Sequence, residues 1–315
     1  METSIANAHG ISVIDSGFTR PKLAAVHCIV RDGRAALVDT ATSPNVPTVL
    51  AALEARGLRL AQIDWILLTH IHLDHAGAAG ALMRLLPNAR LAVHQRGARH
   101  MVDPSRLVAG TVAVYGEIET RETYGEILPV AAPRIVEVGE GSVLTLGAST
   151  LRVLDTPGHA RHHVCYLDDA SGHVFAGDTF GLSYRELDNA GRAFVLPAAT
   201  PTQFDPDAMH ESVERIVALK PEAVYVTHFG RLRDIPRLAQ DLHRLIDSFV
   251  AAARSVAGTG TRRHEQLHAA LAGLIEEEAR RQNWGLRGDA MRELLAADIE
   301  VNTQGLVDWL DKQSS

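Results

Sequence analysis

A histidine-rich segment constrains the fold of this chain more than any other feature. Residues 69–75 read THIHLDH, so three imidazoles and one carboxylate lie within six consecutive positions, directly after the apolar run WILL at residues 65–68. Imidazole nitrogen and carboxylate oxygen suit zinc and similar first-row metals. A tag-like histidine tract has no buried strand before it and no glycine-containing helix after it. The segment therefore predicts a metal site at the end of a β-strand.

Three further candidate ligands also follow apolar, strand-like runs. They are His159, Asp178 and His228. A lone histidine at a strand end is usually structural, but open sheets collect their sites at strand ends, and here the pattern repeats. We expect these side chains to converge with those of residues 69–75.

Four motifs taken together resemble the metallo-β-lactamase-fold hydrolases. They are HIHLDH, PGHA, FAGDT and VTHFG, and the resemblance covers about residues 10–250. It implies an α/β fold, an αββα sandwich, that binds two divalent metal ions, with zinc expected and iron or manganese as alternatives. It also implies that one ion is held by His70, His72 and His159, the other by Asp74, His75 and His228, and that Asp178 bridges them.

Departures from particular subfamilies narrow the function that the resemblance implies. Antibiotic-cleaving relatives commonly carry Arg in place of His75 and Cys in place of Asp178, and flavodiiron relatives carry Glu in place of His72. RNA-processing relatives add nucleic-acid-binding elements, whereas this chain has no evident basic patch. What remains is a resemblance to the glyoxalase II-like thioesterases and the lactonases.

This resemblance predicts a dinuclear metal-dependent hydrolase. Two ions that share Asp178 and a hydroxide would bring the pKa of that water near neutrality, and the metal-bridging hydroxide would attack a small ester, lactone or thioester carbonyl. Asp74 would be catalytic as well as a ligand, because it would pass a proton to the leaving group. The alternatives are a mononuclear iron enzyme similar to persulfide dioxygenases, and a non-catalytic ligand-binding protein on the same fold.

Residues near the ligands are candidates for supporting roles. The resemblance implies a carboxylate after the strand at residues 35–38, and Asp39 in that position would fix the tautomer of a ligating imidazole. The candidates for substrate contact are Arg161, His162, Phe180 and Tyr184. Lactonases carry a tyrosine shortly after the bridging aspartate, where this chain has Phe180, and Tyr184 is the nearest tyrosine that follows. Functional and structural roles are both open for His162 and His163.

Charge and composition favour a small-molecule substrate. With 31 Lys and Arg against 38 Asp and Glu, the 315-residue chain has a formal net charge of −7, which argues against duplex nucleic acid or an anionic membrane as a partner. Cys28 and Cys165 lie far apart on apolar stretches and are expected to be reduced core residues. Residues 1–10 have neither the basic nor the apolar stretch that is typical of a secretory leader, and no run approaches about 18 apolar residues. We therefore expect a cytoplasmic protein.

A glycine- and threonine-rich break at residues 258–261 predicts a domain boundary. Residues 1–257 are predicted to form the metallo-β-lactamase-fold domain, and residues 258–315 a C-terminal helical subdomain of three amphipathic helices. Their apolar stripes are expected to pack on the core or on a second subunit, and the latter arrangement would be a homodimer. Within the first domain the opening strands are predicted at residues 11–18, 23–30, 34–39 and 63–68, with interrupted helical patches at 99–130.

Overall fold

The computed structural model describes residues 4–6 and 9–313, with side chains described from His9 onward. Its contacts divide the chain into two compact units. The first contains the residues up to 155 together with 162–177 and 221–231, and the second contains residues 156–161, 178–220 and 232 onward.

A seven-stranded mixed sheet lies in the first unit. Its strands are β1 (Ser4–Ala6), β2 (Ile11–Asp15), β3 (Ala25–Arg31), β4 (Arg34–Val38), β5 (Ile63–Leu67), β6 (Arg90–His94) and β7 (Ile135–Val138). They are ordered across the sheet as they are in the chain. Strands β1 to β4 are antiparallel neighbours, and β4 to β7 run parallel. The parallel half places the ends of β4 and β5 at one edge of the sheet.

A second sheet has six strands. They are β8 (Val143–Leu146), β9 (Ser149–Asp155), β10 (Val164–Asp168), β11 (His173–Gly177), β12 (Val224–Val226) and β13 (Gly230–Leu232). The order is β13-β12-β11-β10-β9-β8, with β8 to β11 antiparallel and β11 parallel to β12. Because β11 and β12 are parallel, the residues after Gly177 and Val226 leave the sheet at the same end.

The two sheets form a sandwich because each presents an apolar face to the other. Side chains alternate along β3, so that Val26 and Cys28 point to one face, and Ala25 and Ile29 to the other. The second face packs into one core with residues of the second sheet, such as Phe175. Cys28 and Cys165 are both buried and no disulfide joins them, which agrees with their predicted places in the core.

Helices cover the other face of the first sheet. They are α1 (Val46–Glu54), α2 (Leu73–Ala76), α3 (Ala79–Leu85) and α4 (Gln95–Val102), followed by α5 (Ser105–Tyr115) and α6 (Glu117–Tyr124). Val49, Leu53 and Leu82 pack into the same core as Val26 and Cys28. Of the interruptions predicted within residues 99–130, those at Pro104, Gly116 and Gly125 are confirmed because these residues flank the helices, whereas the one at Gly110 is wrong because Gly110 lies inside α5.

The second unit is helical. Its helices are α7 (Pro206–Ala218), α8 (Ile235–Ser255), α9 (Gly260–Gln282), α10 (Asp289–Leu294) and α11 (Ala296–Gln313). The three helices expected after Gly258 are thus confirmed. They belong to the same compact unit as α7 and α8, and the domain boundary at 257/258 stays a prediction. Among the described helices, none combines the length and the apolar character that crossing a membrane requires.

Two predicted strands differ from the observed ones near the first turn. β2 ends at Asp15 rather than at Phe18, and β3 begins at Ala25 rather than at Leu23. The reason is that the Asp15 carboxylate accepts hydrogen bonds from the backbone N–H groups of Gly17, at 3.1 Å, and Lys22, at 3.0 Å. This side chain closes a loop and ends the ladder earlier than apolar periodicity indicates.

Candidate metal centre

The histidine-rich segment lies where β5 ends and α2 begins. His72 is the N-cap residue of α2, and His75 lies within the helix. His70 and His75 are fully buried, and their ring centroids are 4.0 Å apart. His70 Nε2 is 2.9 Å from His72 Nδ1. The strand-to-helix turn therefore brings the three imidazoles together, as the sequence predicts.

Asp74, His75 and His228 form one group of potential ligands within the first unit. Their ligand atoms all lie within 4.8 Å of one another. Asp74 Oδ2 is 3.4 Å from His75 Nε2 and 3.2 Å from His228 Nε2. His228 reaches the group because it lies two residues beyond the end of β12. These three residues are the set that the resemblance assigns to the second ion.

The opposite nitrogen of each histidine in this group is fixed by an oxygen. His75 Nδ1 lies 2.8 Å from Asp39 Oδ2, and His228 Nδ1 lies 2.8 Å from the backbone carbonyl of Leu23. A carboxylate and a carbonyl accept but do not donate, so Nδ1 carries the proton in both rings. The neutral tautomer then presents the Nε2 lone pair toward Asp74, which is the form that binds a metal.

Asp39 organises this arrangement from the end of β4. Its carboxylate is fully buried and accepts hydrogen bonds from the Thr69 backbone N–H at 2.8 Å, from the Thr69 hydroxyl at 2.9 Å and from the Thr227 hydroxyl at 2.8 Å, besides His75. Its backbone has a φ of +58°, which aspartate tolerates better than most residues. Asp39 thus makes the contact with an imidazole that its predicted role requires.

His159 and Asp178 lie together in the second unit. His159 is fully buried, and its Nδ1 is 2.7 Å from the backbone carbonyl of Ala198. The opposite Nε2 is 3.4 Å from Asp178 Oδ2. The turn before His159 is tight, because Gly158 has a φ of +132° and a Cβ there would lie 2.4 Å from Met209 Cα. His159 therefore repeats the pattern of His75 and His228.

The donor set fits a divalent metal ion. A neutral imidazole Nε2 and a carboxylate oxygen both present lone pairs, so a separation of 3.2–3.4 Å is favourable only with a cation between them, either a proton or a metal ion. Burial by itself would raise the pKa of Asp74, but protonated His75 and His228 rings beside it hold the pKa of that carboxyl well below its usual value, and a metal ion that displaces those protons would supply the positive charge instead. Asp74 is therefore an anion at neutral pH. Imidazole and carboxylate ligands together suit zinc and neighbouring metals.

The remaining predicted site residues occupy different environments. His162 is buried, and its ring stacks on that of His70 with the two centroids 6.2 Å apart. The centroid of the His163 ring lies 5.1 Å from that of His70. Arg161 is exposed. Phe180 is fully buried in the second unit. Tyr184 is 2% exposed, and its hydroxyl donates to Asp298 on α11 at 2.9 Å. The roles of these side chains in substrate binding stay predictions.

Sequence reasoning missed the groups that hold the ligands. Thr69 and Thr227 each precede a candidate ligand and donate to Asp39, and a repeated Thr-His pair at two strand ends was the signal available for them. The carbonyls of Leu23 and Ala198 orient His228 and His159. Backbone carbonyls have no residue signature, so no sequence pattern indicates them.

Comparison with known proteins assigns the family. The family model of the metallo-beta-lactamase superfamily matches residues 21–228. The chain belongs to the metallo-beta-lactamase superfamily. Among superfamily proteins similar to it, the metallo-beta-lactamase fold-containing protein ST1585 of Sulfurisphaera tokodaii is 27% identical over 220 residues, which are 67% of this chain and 74% of that protein.

A hydroxyacylglutathione hydrolase of Cupriavidus metallidurans is 32% identical over 213 residues. These are 63% of this chain, and the chain spans 60% of that enzyme's length. The crystal structure of ST1585 superposes with a TM-score of 0.65 at 23% identity, over 95% of this chain and 99% of that one. The superfamily protein TTHA1429 of Thermus thermophilus gives a TM-score of 0.64 at 22% identity, over 92% and 89%. These likenesses confirm the predicted α/β metallo-β-lactamase fold. Proteins of the superfamily generally bind metal ions, and the His and Asp groups of this member are suited to that.

Proposed function

We propose that this superfamily member is a dinuclear metal-dependent hydrolase of small esters, lactones or thioesters. In this proposal two divalent ions, zinc in the first instance, are held by the seven residues that the sequence motifs indicate. One ion is bound by His70, His72 and His159, the other by Asp74, His75 and His228, and Asp178 is shared.

One observation carries the proposal. Three histidines, His75, His159 and His228, each donate Nδ1–H to a fixed oxygen and direct Nε2 to a carboxylate. Histidines with a purely structural role have no reason to share both the tautomer and the acidic neighbour. Metal-ligating histidines do, because the second hydrogen bond sets the tautomer and increases the basicity of the ligating nitrogen.

The residues around these ligands suit attack on a carbonyl. Divalent ions, when bound, lower the pKa of coordinated water and polarise a substrate carbonyl. Asp74 lies at the edge of its ligand group with its side chain 23% exposed, so it is accessible to solvent, and a cation beside it would keep it ionised. An ionised carboxylate there can accept a proton from the attacking water and return it to the leaving alkoxide or thiolate.

The substrate class follows from charge and from relatives. A net charge of −7 and the absence of an evident basic track in the sequence favour a small molecule over a polyanion. The similarity to a hydroxyacylglutathione hydrolase makes thioesters the first class to test. The proposal includes no nucleic acid or membrane partner. The cytoplasmic location and the homodimer stay predictions.

The test is a hydrolysis panel on metal-loaded protein, with elemental analysis of the same preparation. Thioesters, lactones, simple esters, phosphodiesters and β-lactams are compared at equal concentration. We expect two ions per chain and the highest kcat/KM on a carbonyl substrate. Asp74→Asn should reduce that kcat by at least about 100-fold, the lower end of a general acid–base contribution. Asp207→Asn, an exposed change of the same kind on α7, should leave it unchanged.

Three results would contradict the proposal. A phosphodiester hydrolysed faster than every carbonyl substrate would refute the substrate class. A single iron ion per chain with oxygen consumption would favour the dioxygenase alternative. Tight binding of panel compounds with no turnover at full metal loading would favour a binding protein.

A further inference from the structure

A second group of potential metal ligands lies in the first unit, away from the candidate centre. It consists of His9, His173 and Glu222, whose ligand atoms all lie within 4.8 Å of one another. His173 begins β11, whereas the candidate centre lies beyond the other end of that strand. The four steps from His173 to Gly177 span about 13 Å at the usual rise of an extended strand.

The chain holds these three residues together through its backbone. Because β11 and β12 are parallel, the start of β11 is beside the residues that precede β12, and Val174 N–H donates to the Ala223 carbonyl at 3.1 Å. This places Glu222 next to His173. The carbonyl of His9 accepts a hydrogen bond from Arg31 Nη1 at 2.5 Å, which fixes the chain before β2.

His173 is the residue that points to a ligand. It is 2% exposed, and neither of its ring nitrogens has a hydrogen-bond partner among the described residues. Its neighbours are ring contacts, with the His9 ring edge-on at 5.1 Å and the Tyr225 ring at 5.8 Å. A buried imidazole normally satisfies its polar atoms, and the groups beside this one are a second imidazole and a carboxylate.

We propose that His9, His173 and Glu222 bind a divalent first-row metal ion such as zinc, copper or nickel. With metal–ligand bonds of about 2.0–2.1 Å, tetrahedral geometry requires ligand atoms about 3.4 Å apart. His9 and Glu222 are exposed, so their side chains are able to turn inward to reach that separation, while the buried His173 stays in place. Three protein ligands leave a fourth position for water.

The charges around the group are consistent with a site that depends on imidazole nitrogen. Burial lowers the pKa of His173, so its ring is neutral and able to ligate near pH 7. Glu222 contributes a negative charge, and Arg231 a positive one that opposes a cation; Asp168 is paired with Arg31. Since carboxylates do not dominate, the site should prefer zinc, copper or nickel over calcium or magnesium.

Such an ion would connect the two sheets of the sandwich. His9 precedes β2 in the first sheet, whereas His173 and Glu222 belong to the second sheet. Binding to the folded protein alone stabilises it by mass action. The inference is independent of the proposed hydrolase function, because none of the seven candidate ligands takes part.

The test compares bound zinc in full-length wild type, His9→Asn and Glu222→Gln. Each protein is equilibrated with buffered free zinc over a range of concentrations, and bound metal is measured by elemental analysis. At intermediate zinc concentrations the wild type should bind one ion more than either variant. The affinity of each variant for that ion should be lower by at least about tenfold, since the loss of a residue that only supports a ligand already lowers metal affinity by that factor. His100→Asn on α4 is the matched control and should behave as wild type.

Location is tested by paramagnetic broadening with cobalt. Amide resonances of residues 9–11 and 173–175 should broaden in wild type at cobalt concentrations that leave them sharp in His9→Asn. The inference is overturned if wild type and both variants bind equal amounts of zinc at every concentration, or if broadening near residue 173 is the same with and without His9. Panel turnover is not needed for either measurement, so failure here is distinct from failure of the hydrolase proposal.

Discussion

Replacing Asp39 by asparagine should weaken metal binding while leaving the protein folded. The Thr69 backbone N–H lies 2.8 Å from Oδ1 and must keep an acceptor, so the carbonyl oxygen of the new amide takes that position. The amide NH2 group then takes the place of Oδ2, which in the wild type lies 2.8 Å from His75 Nδ1. The NH2 group therefore faces that nitrogen. An NH2 group donates, so Nδ1 has to accept and the proton moves to Nε2. His75 then presents N–H where its lone pair is needed for the metal.

The expected size follows from these contacts. Loss of the carboxylate that supports a ligating histidine typically lowers metal affinity by about 10–100-fold, or about 1.4–2.7 kcal/mol. Because the threonine hydroxyls can rotate to accept from the amide, the free energy of unfolding without metal should fall by only about 1–3 kcal/mol. Asp39→Ala should lose about 3–5 kcal/mol, since it leaves buried donors unpaired and places alanine at a φ of +58°.

The assay is competition with a chromophoric zinc chelator, together with nitrogen NMR of the His75 ring. Asp39→Asn should bind zinc at least about tenfold more weakly and show the Nε2–H tautomer. Asp64→Asn, which alters a partly exposed carboxylate paired with Arg34, is the control and should bind as wild type. An Asp39→Asn protein with wild-type affinity and an Nδ1–H tautomer would refute the assignment of Asp39 as the group that orients His75.

Three other outcomes are expected. Burial lowers the pKa of His27 to about 4, so below pH 6.5 the unfolded chain takes up a proton that the folded protein does not. The free energy of unfolding, measured in urea, should therefore fall by up to about 3 kcal/mol as the pH drops from 6.5 to 4. His27→Phe should remove that part of the pH dependence. Gly177→Ala should lower the Tm more than Gly172→Ala. Both glycines have positive φ, but a Cβ at Gly177 would lie 2.6 Å from His163 Nε2, whereas a Cβ at Gly172 would meet open space. Equal decreases in Tm would show that crowding at Gly177 is unimportant. Removal of a metal present at 100 times its Kd by a chelator should lower the free energy of unfolding of the wild type by about 2.7 kcal/mol. The decrease should be smaller for Asp39→Asn. Thermal unfolding with and without chelator measures both.

The candidate ligands were predictable because their signal is local. Each of them follows an apolar run, and strand ends of a sheet collect functional side chains. The role of Asp39 was predictable only from the family resemblance, because no local pattern indicates it. Its partners Thr69, His75 and Thr227 come from chain positions up to 188 residues away, and only the register of β4 beside β5, and the packing of one sheet on the other, brings them to one carboxylate.

Tyr184 shows that closeness in sequence to a candidate ligand does not predict where a side chain points. It lies six positions after Asp178, and it was predicted as a substrate contact because the lactonases that the chain resembles carry a tyrosine shortly after the bridging aspartate. In the structure its side chain is buried within the helical unit and bonded to Asp298, which is 114 residues further along the chain. The direction of a side chain on a loop depends on which distant helix packs there, and amphipathic stripes do not reveal this partner.

The Asp39 network also explains why a buried charge is tolerated between two sheets. An isolated carboxylate in the interior is strongly unfavourable, but here one backbone N–H, two hydroxyls and one imidazole donate to it. Thr69 follows β5 in the first sheet, and Thr227 follows β12 in the second. The same carboxylate therefore fixes a candidate ligand and joins the sheets. Metal affinity should for that reason respond to the packing of the inner core, since a shift of one sheet against the other changes the distances that hold His75 and His228 at Asp74.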